Sequence, residues 1–500
     1  MQIDIENLVM KPTYILLILA VYFVILLVIS LITSDKQADN ENFFKAKRQS
    51  PWFVVAFGMI GASLSGVTFI SVPGWVEASQ FSYMQVVLGY LLGYVVIGTV
   101  LLPLYYRLNL TSIYTYLEQR FGTYSYKTGA SFFILSRVVG SSFRLFLVAN
   151  VLQTLAFDAM GIPYWLTVTI TIILIWLYTF KSGIKTVVWT DTLQTLFMLV
   201  ALGITVVTLY DELNITQGIV SYISESSLSK VFFFDDINSV DYFWKQFLSG
   251  AFIAIVMTGL DQDMMQKNLS CRTLKDSQKN MFWFTIILTI VNLAFMALGV
   301  LLTHYARQNG IDAHKDELFP LLAKDYLGPV VFIAFIIGLI AAAYSSADSA
   351  LTSLTTSFSV DILEIDKKYS IQDQVKIRKR VHVLLSLVLI FVIVSFKYLI
   401  KDESVIAKLF IFTGYTYGPL LGMYSFGLFT RLKTRDKFIP FIAICSPILA
   451  YFISLYSNRW FGFDFGFFVL ILNGALTFIG LLAFSDFKSG QKQELVLPSR

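Results

Sequence analysis

The sequence predicts an all-α membrane protein that crosses the bilayer about thirteen times. Its mean hydropathy is +0.69. Apolar residues make up 56% of the 500 and charged residues only 14%, against about 25% charged in a typical globular protein. Because the apolar residues are spread from end to end, a soluble enzyme, a soluble domain with one anchor and a disordered chain are excluded. The two cysteines, Cys271 and Cys445, and the three scattered histidines offer neither a disulfide scaffold nor Cys/His metal chemistry.

Thirteen apolar runs are long enough to cross a bilayer as helices. A hydrocarbon core of about 30 Å needs roughly 20 apolar residues in helical form. The predicted spans are 13–33, 52–77, 81–106, 128–156, 163–180, 186–210, 243–265, 280–303, 327–357, 381–399, 405–429, 437–457 and 465–485. No small-residue cleavage site follows the first run, so we expect it to be retained as a span.

The distribution of Lys and Arg predicts the orientation of these spans. With the N-terminus outside, twenty-six of these residues fall in or beside inner loops and nine in outer segments. We therefore expect a multi-pass protein of the plasma (inner) membrane, with the N-terminus outside and the C-terminus in the cytoplasm. The inner-loop charges also account for the net charge of +5 without any nucleic-acid partner.

Span two is not a smooth apolar helix. Gly66, Thr68, Ser71, Pro73 and Gly74, all weak helix formers or breakers, lie at mid-depth and beyond. Unwound backbone at that depth is tolerated where it is buried in protein or lines a cavity, and its free carbonyls can coordinate sodium. The alternative is a kinked or tightly packed helix, because small residues are common where spans meet.

Span nine carries a polar stripe. Positions that advance by three or four residues share one helical face, and here they are Ala342, Ser345, Ser349, Thr352 and Thr356. Asp348 flanks this stripe. Hydroxyl and carboxylate oxygens suit a small hard cation, although hydroxyls also form hydrogen bonds between helices. A carboxylate inside a span is costly and is therefore a functional candidate, unless it lies hydrated near the inner end.

Three further charged residues lie in predicted spans. Asp191 begins span six, where it is either a first-turn acid favoured by the helix dipole or a second inner carboxylate beside Asp348. Arg137 and Arg144 are seven residues apart on one face of span four. They either pair with carboxylates of the protein or bind an anionic group of a substrate.

Span seven ends with Gly259, Asp261 and Asp263, which indicate either a second helix break or the start of an inner loop. The sequence contains no glycine-rich phosphate loop, nucleophile elbow or metal-ligand helix pair. We therefore expect a protein that is not an enzyme, does not use ATP, and depends on an ion gradient if it uses energy at all.

Five motifs resemble the sodium:solute symporter family, and they occur in the order of that family between about residues 40 and 430. They are 42–52, 113–122, 183–194, 259–267 and 342–349. The resemblance implies two inverted five-helix repeats of the leucine-transporter type, with one extra N-terminal and two extra C-terminal helices. The implied divisions are an N-terminal helix and inner loop at 1–50, repeat one at 51–212, an outer loop at 213–242, repeat two at 243–430, and two helices with an inner tail at 431–500.

The resemblance also implies two sodium sites. The main site would combine backbone carbonyls of the first broken helix with a carbonyl and two hydroxyls of span nine; its residues would be Gly66, Phe69, Ala342, Ser345 and Ser346. A second site, found in some members of the family, would lie nearer the inside and consist of Asp191, Ser345, Asp348 and Ser349.

Substrate contacts are likewise implied by the resemblance. Phe81 and Gln85 are similar to a substrate-facing pair in members that transport sialic acid, and Thr68 lies near them. Arg137 is the first candidate for binding a substrate carboxylate, and Arg144 is the second.

The implied function is symport of a small polar or anionic solute, such as a sialic-acid-like carboxylate, a sugar or an amino acid. We expect the partners to be the solute, one or two Na⁺ ions and the lipid bilayer, with no organic cofactor and a monomer as the working unit. The alternatives are a membrane-embedded solute sensor, for which residues 487–500 are too few to form a signalling domain, and an ion channel, for which no pore-lining ring is evident.

Overall fold

Long apolar helices make up most of the chain in the computed structural model, which describes residues 12–33, 43–44, 46–180, 183–400 and 405–486. The predicted outer N-terminus and the inner tail after residue 486 lie outside these residues. The main helices are α1 Pro12–Thr33, α2 Trp52–Ser79, α3 Tyr83–Arg107, α4 Thr123–Met160, α5 Tyr164–Thr179, α6 Gly183–Glu212, α7a Phe243–Gly259, α7b Gln262–Asn268, α8 Leu274–Gln308, α9 Gly328–Ile362, α10 Ile371–Leu399, α11 Val405–Phe429, α12 Asp436–Phe461 and α13 Gly466–Ala483.

A helix lies at each of the thirteen predicted spans. Within the described part of the chain, ten helices are long and apolar enough to cross a membrane, and the bent pair α7a and α7b makes an eleventh. The other two are α5, with 16 residues, and α11, with 25 residues. The all-α, polytopic fold is therefore confirmed.

Short elements join the long helices. They are the helices Thr115–Arg120, Ile219–Ser224, Leu318–Asp325 and Ile365–Lys368, and two strands, Lys433–Thr434 and Ser485–Asp486, that pair antiparallel. At the centre of the molecule α2 packs against α6, α8 and α9, while α4 packs against α9, α10 and α11. The apolar helices α1 and α12 lie at the periphery with many large side chains exposed, as suits helices that face lipid.

The polar span two is interrupted, as predicted. Ser65 has φ 54° and ψ 173°, whereas the residues on both sides of it are helical. The break lies immediately before Gly66, and the helix continues through Pro73 to Ser79. Gly66 allows a close helix contact, because a Cβ at this position would overlap Val148 Cγ2 of α4. Packing against α4 therefore accounts for this glycine, while the backbone turns at the residue before it.

The second predicted break is confirmed in span seven. Helices α7a and α7b are bent by 68° between Gly259 and Gln262. Asp261 begins α7b as its N-cap, since its carboxylate accepts hydrogen bonds from the backbone N–H groups of Asp263 at 2.9 Å and Met264 at 3.3 Å. Of the two interpretations that the sequence left open, the structure therefore contains the break.

A cluster of charged side chains joins the C-terminal end of α2 to the end of α8 and the loop after it. Glu77 accepts a hydrogen bond from Arg307 Nη2 at 3.2 Å and pairs with His314 Nδ1 at 2.7 Å. The other ring nitrogen of His314 lies 2.9 Å from Asp312. These two carboxylates, Glu77 foremost, raise the pKa of the exposed His314 above its ordinary value.

We expect the His314 contacts of this cluster to stabilise the protein only while His314 is protonated. A raised pKa means that the contribution is fully present below the ordinary histidine value of about 6.5 and is lost as the pH rises through the raised value. His314→Gln should therefore slightly lower the midpoint of thermal unfolding at about pH 5.5 and leave it unchanged at about pH 9. An equal difference at both pH values would contradict the assignment.

Candidate substrate and sodium site

A cavity lies beside the break in α2. It is bounded by the interrupted segment of α2 and by side chains of α3, α4, α7a, α8 and α11. Its polar lining consists of Ser63, Ser65, Thr68, Tyr83, Tyr90, Tyr94, Arg137, Arg144, Thr258 and Asn292. A mostly helical wall with a few converging polar groups is typical of a binding site for a small polar molecule between helices.

Arg144 borders this cavity and forms no ion pair with any carboxylate of the described residues. Its side chain is 8% exposed. Nη1 donates a long hydrogen bond of 3.5 Å to the carbonyl of Ala62, which lies just before the break, and Nε has no partner among the described residues. No carboxylate in the described chain lies within 4 Å of the guanidinium. An unneutralised guanidinium in a cavity is well suited to bind an anion.

Arg137, which lies seven residues earlier on the same face of α4, already forms an ion pair within the protein. Its guanidinium contacts Asp263, and Nη1 lies 3.7 Å from Asp261 Oδ2. The Tyr417 hydroxyl of α11 donates to the same oxygen of Asp261 at 2.5 Å. Both aspartates are fully buried. Arg137 therefore fits the first of the two interpretations, pairing with carboxylates of the protein. This ion pair connects α4 to α7b and α11.

The predicted substrate residues Thr68, Phe81 and Gln85 do not all line this cavity. Thr68 lines the cavity, whereas Phe81 and Gln85 are buried outside its lining. The Gln85 amide donates to the backbone carbonyl of Asp241 at 2.9 Å and accepts from the N–H of Phe233 at 3.2 Å. In this conformation Gln85 holds the loop before α7a against α3, and its polar atoms are engaged.

The break in α2 disturbs the helical hydrogen bonds of the residues just before it. A helical hydrogen bond from residue i+4 to residue i passes over three residues, whose φ and ψ should be helical. The non-helical Ser65 lies among those three for the carbonyls of Ala62, Ser63 and Leu64. The Ala62 carbonyl accepts a long hydrogen bond from Arg144 instead.

The positions taken from the resemblance, Gly66 and Phe69, lie after this break, in the continuing helix. The Phe69 ring packs among Phe295, Phe319 and Phe335 at centroid distances of 5.8, 5.5 and 5.8 Å. Gly66 contacts Val148. Both residues therefore lie in the helical part of α2 that directly follows the break.

The α9 residues of the main site lie where α9 packs against α2. Ala342, Ser345 and Ser346 are at most 2% exposed. A Cβ at Gly61 of α2 would lie 3.4 Å from Ser345 Oγ, so the two helices touch there. The Ser346 hydroxyl is buried without a partner in the described chain. A buried hydroxyl that is left unpaired costs stability, which is compensated where an ion or water uses it.

Three of the four residues predicted for the second sodium site converge on one carboxylate. Ser345 Oγ donates to Asp191 Oδ1 at 2.6 Å, and Ser349 Oγ donates to Asp191 Oδ2 at 3.2 Å. Lys267 Nζ of α7b also lies 2.7 Å from Oδ2.

Asp348 is directed elsewhere. Its Oδ2 accepts hydrogen bonds from the Tyr178 hydroxyl at 2.9 Å and the Thr190 hydroxyl at 3.4 Å, and its Oδ1 accepts from the Ser349 N–H at 2.6 Å. Since Asp348 is fully buried in α9, the interpretation of a hydrated acid at the inner end does not apply to this structure.

Two features of the site were not predicted from the sequence. The cavity residues Tyr83, Tyr90 and Tyr94 of α3 are seven and four residues apart, so they share one face, and this spacing could have revealed them. Lys267 lies inside a recognised motif but was counted as an inner-loop charge. It is 1% exposed, and no local signal distinguishes it from the solvated lysines beside it.

Two interrupted helices that border a cavity with converging polar groups are typical of secondary transporters. The model of the sodium:solute symporter family matches residues 43–436, and the chain belongs to that family. It is a sodium-coupled solute symporter with a leucine-transporter-like fold, which confirms the expected function, sodium as the coupling ion and the absence of enzyme activity.

Known relatives support this conclusion. The sodium/sialic acid symporter NanT of Aliivibrio fischeri is 24% identical over 80% of this chain and 80% of its own length. The human sodium/iodide cotransporter is 25% identical over 79% of this chain and 62% of its own length. A solved structure of a Na⁺-coupled sialic acid symporter in a substrate-bound outward-open state superposes with a TM-score of 0.79 and 20% identity, covering 94% of this chain and 97% of that one. Transport is therefore favoured over the sensor and channel alternatives.

Proposed function

We propose that this symporter carries a small organic anion into the cell together with sodium. The observation that carries the proposal is Arg144, a buried guanidinium that borders the cavity and has no carboxylate of the described chain within 4 Å. A buried charge without a partner is unfavourable, so a binding site of this kind selects a ligand of opposite charge. Tyr83, Tyr90 and Tyr94 add aromatic walls and hydroxyl groups for the rest of the solute.

The named substrates of two relatives are consistent with an anion. NanT of Aliivibrio fischeri is a sialic acid symporter, and the human relative transports iodide. Sialic acid carries a carboxylate and iodide is itself an anion, so an unneutralised cation beside the cavity suits either chemistry. A carboxylate uses both arms of the guanidinium, and we therefore favour a carboxylate solute for this chain.

The main sodium site would join the two halves of the transport core. Its ligands would be the carbonyls of Ser63 and Leu64, which lie beside the break, with the Ala342 carbonyl and the hydroxyls of Ser345 and Ser346. Oxygen-only ligands of this kind suit a hard cation. Sodium would hold α2 against α9 while the solute binds, and its release at the inner side would let the two parts separate.

Arg144 offers a physical basis for coupling. Its guanidinium reaches both the cavity and the Ala62 carbonyl, which directly precedes the carbonyls proposed for sodium. An anion that repositions Arg144 changes the electrostatic field at those carbonyls. Coupling must be reciprocal, so sodium should tighten binding of the solute by the same factor by which the solute tightens binding of sodium.

The distribution of Lys and Arg supports a plasma-membrane topology with the N-terminus outside and the C-terminus in the cytoplasm. The inverted repeats would comprise residues 51–212 and 243–430, with the cavity between them. We propose that the monomer is the working unit.

A sodium-dependent binding screen tests the substrate class. Purified protein would be heated with panels of organic acids, neutral sugars and zwitterionic amino acids, in sodium or in potassium. We expect stabilisation by organic acids in sodium alone, followed by sodium-driven uptake of the same solute into proteoliposomes. Stabilisation by neutral sugars and not by any acid would contradict the proposal.

Ser346→Ala should weaken sodium binding with little effect on folding. The hydroxyl has no protein partner to lose, but it would remove one oxygen ligand from the ion. We expect the sodium concentration for half-maximal uptake to rise at least tenfold, which corresponds to about 1.4 kcal/mol. The matched control is Ser353→Ala in the same helix, because the Ser353 hydroxyl donates only to the Ala350 carbonyl. Equal sodium dependence in the two variants would contradict the site.

A further inference from the structure

Aromatic side chains form a continuous surface from the loop before α7a onto the first two turns of that helix. This aromatic strip consists of Phe232, Phe234, Phe243, Trp244 and Phe247. The rings of Phe232 and Phe234 are stacked with centroids 6.1 Å apart, and Phe234 contacts Phe243 at 4.8 Å. Phe243 in turn contacts Trp244 at 5.0 Å and Phe247 at 5.6 Å. The loop and the helix therefore share one apolar surface.

Hydrogen bonds to the backbone hold the loop part of the strip in place. The Phe233 N–H donates to Gln85 Oε1 of α3 at 3.2 Å, and the Phe233 carbonyl accepts from the Phe243 N–H of α7a at 2.7 Å. Phe233 is only partly exposed, whereas its neighbours Phe232 and Phe234 are exposed. These two rings are thus turned outward by a segment that is fixed to both helices.

The strip leaves much apolar area uncovered. Phe232, Phe234 and Trp244 are 50%, 54% and 51% exposed, and all three contact the ring of Phe243. A single exposed aromatic ring needs no explanation, but a contiguous apolar patch marks a surface that contacts a protein partner or a membrane.

The position of the strip identifies the membrane surface as that partner. Helix α7a belongs to a broken span and begins at Phe243, so Trp244 and Phe247 lie in the first two turns, at one end of the span. Aromatic side chains favour this depth, where the apolar ring meets the headgroup region. The strip continues from these helical rings to the loop without a gap, so the loop rings lie beside the same boundary.

The charges of the loop favour a lipid surface that is bound through its apolar part. Residues 213–242 contain one lysine, Lys230, against four acidic residues, so they offer no excess of positive charge to anionic headgroups. Asp235, which directly follows the strip residue Phe234, has a side chain that is 87% exposed and pairs with Lys230 at 3.4 Å. The loop therefore presents a charged group to water next to its apolar strip.

We propose that the aromatic strip inserts into the headgroup boundary of the bilayer, so that the loop before α7a lies on the membrane instead of projecting into water. This contact would hold the first turn of α7a at the membrane surface, while α7b lies beyond the 68° bend. The inference depends neither on the proposed solute nor on the proposed sodium ligands.

The experiment places an environment-sensitive fluorophore on the loop of the full chain in phosphatidylcholine vesicles. Because Cys271 is buried, Phe234→Cys or Asp235→Cys in a Cys445→Ser background supplies a single labelling site. We expect lipids with a nitroxide near the headgroup end of the acyl chain to quench position 234 at least about twofold more than position 235. Acrylamide in the water should quench in the opposite order. Asp235 is the matched control, since it is adjacent in the chain.

The two quenchers distinguish the possible occupants of the strip. Equal access of acrylamide to both positions would overturn the inference. Protection of position 234 from acrylamide without quenching by the lipid nitroxide would overturn it as well, because a protein surface such as a second copy of the chain would then cover the strip. If the labelled Phe234→Cys protein fails to fold, Phe232→Cys provides the same measurement.

Discussion

Arg144→Gln is expected to abolish transport of the organic anion without unfolding the protein. Truncating one partner of a buried, hydrogen-bonded charge pair costs about 2–5 kcal/mol, which is roughly a 30-fold to several-thousand-fold loss of affinity for the solute. Folding should be spared, because no carboxylate within 4 Å in the described chain depends on Arg144 for its counter-charge. Uptake kinetics and thermal unfolding, measured on the same preparation, separate the two effects.

Arg144→Lys is the informative control for this prediction. Lysine keeps the charge but loses the planar fork that binds both oxygens of a carboxylate. We expect an affinity between those of the wild type and Arg144→Gln, with sodium binding retained in both variants. Normal uptake of an acidic solute by Arg144→Gln would exclude Arg144 as the anion site and with it the proposed substrate class.

The other arginine of α4 should behave in the opposite way. Arg137→Met leaves Asp261 and Asp263 buried without their counter-charge, and breaking a buried pair by removing one partner costs about 3–5 kcal/mol. We expect a large drop in the unfolding temperature and in the yield of folded protein. The drop follows from the structure, because these aspartates and the Tyr417 hydroxyl lie where α4, α7b and α11 meet.

A double variant tests whether the loss arises from uncompensated charge. Arg137→Met combined with Asp263→Asn removes both members of the closest pair and should recover part of the stability lost in Arg137→Met. A folded Arg137→Met protein of wild-type stability that has lost only solute affinity would contradict this assignment. It would return Arg137 to the substrate-binding role that the resemblance implied.

Arg137 and Arg144 show what the sequence could predict about the site and what it could not. Their spacing of seven residues places both on one face of α4, and that much was predicted. Which of them is left without an internal ion pair was not predictable, since it depends on Asp261 and Asp263, more than a hundred residues later in the chain. The bend after Gly259 brings those aspartates to Arg137 and leaves Arg144 at the cavity.

The helix breaks in spans two and seven also differ in how much of each the sequence could predict. In span seven, Gly259 and the two aspartates after it are local signals, and they indicated a break as one of two interpretations. In span two the weak helix formers indicated an interrupted helix, yet the non-helical residue is Ser65. Close packing of Gly66 on Val148 is a long-range contact that no local pattern contains. The α2 carbonyls that we propose as sodium ligands are therefore those beside Ser65.

Hydropathy, helical period and the short motifs determined on their own that this is a multi-span sodium:solute symporter, because each of these signals is contained in a few consecutive residues. Only the tertiary structure decided which buried charges neutralise each other. Lys267 counts as an ordinary loop lysine until α7b folds back against α6 and brings its ammonium group to Asp191. The role of a buried charged side chain depends on the residue with which it pairs. When that residue is distant in the chain, tertiary packing determines which residue it is.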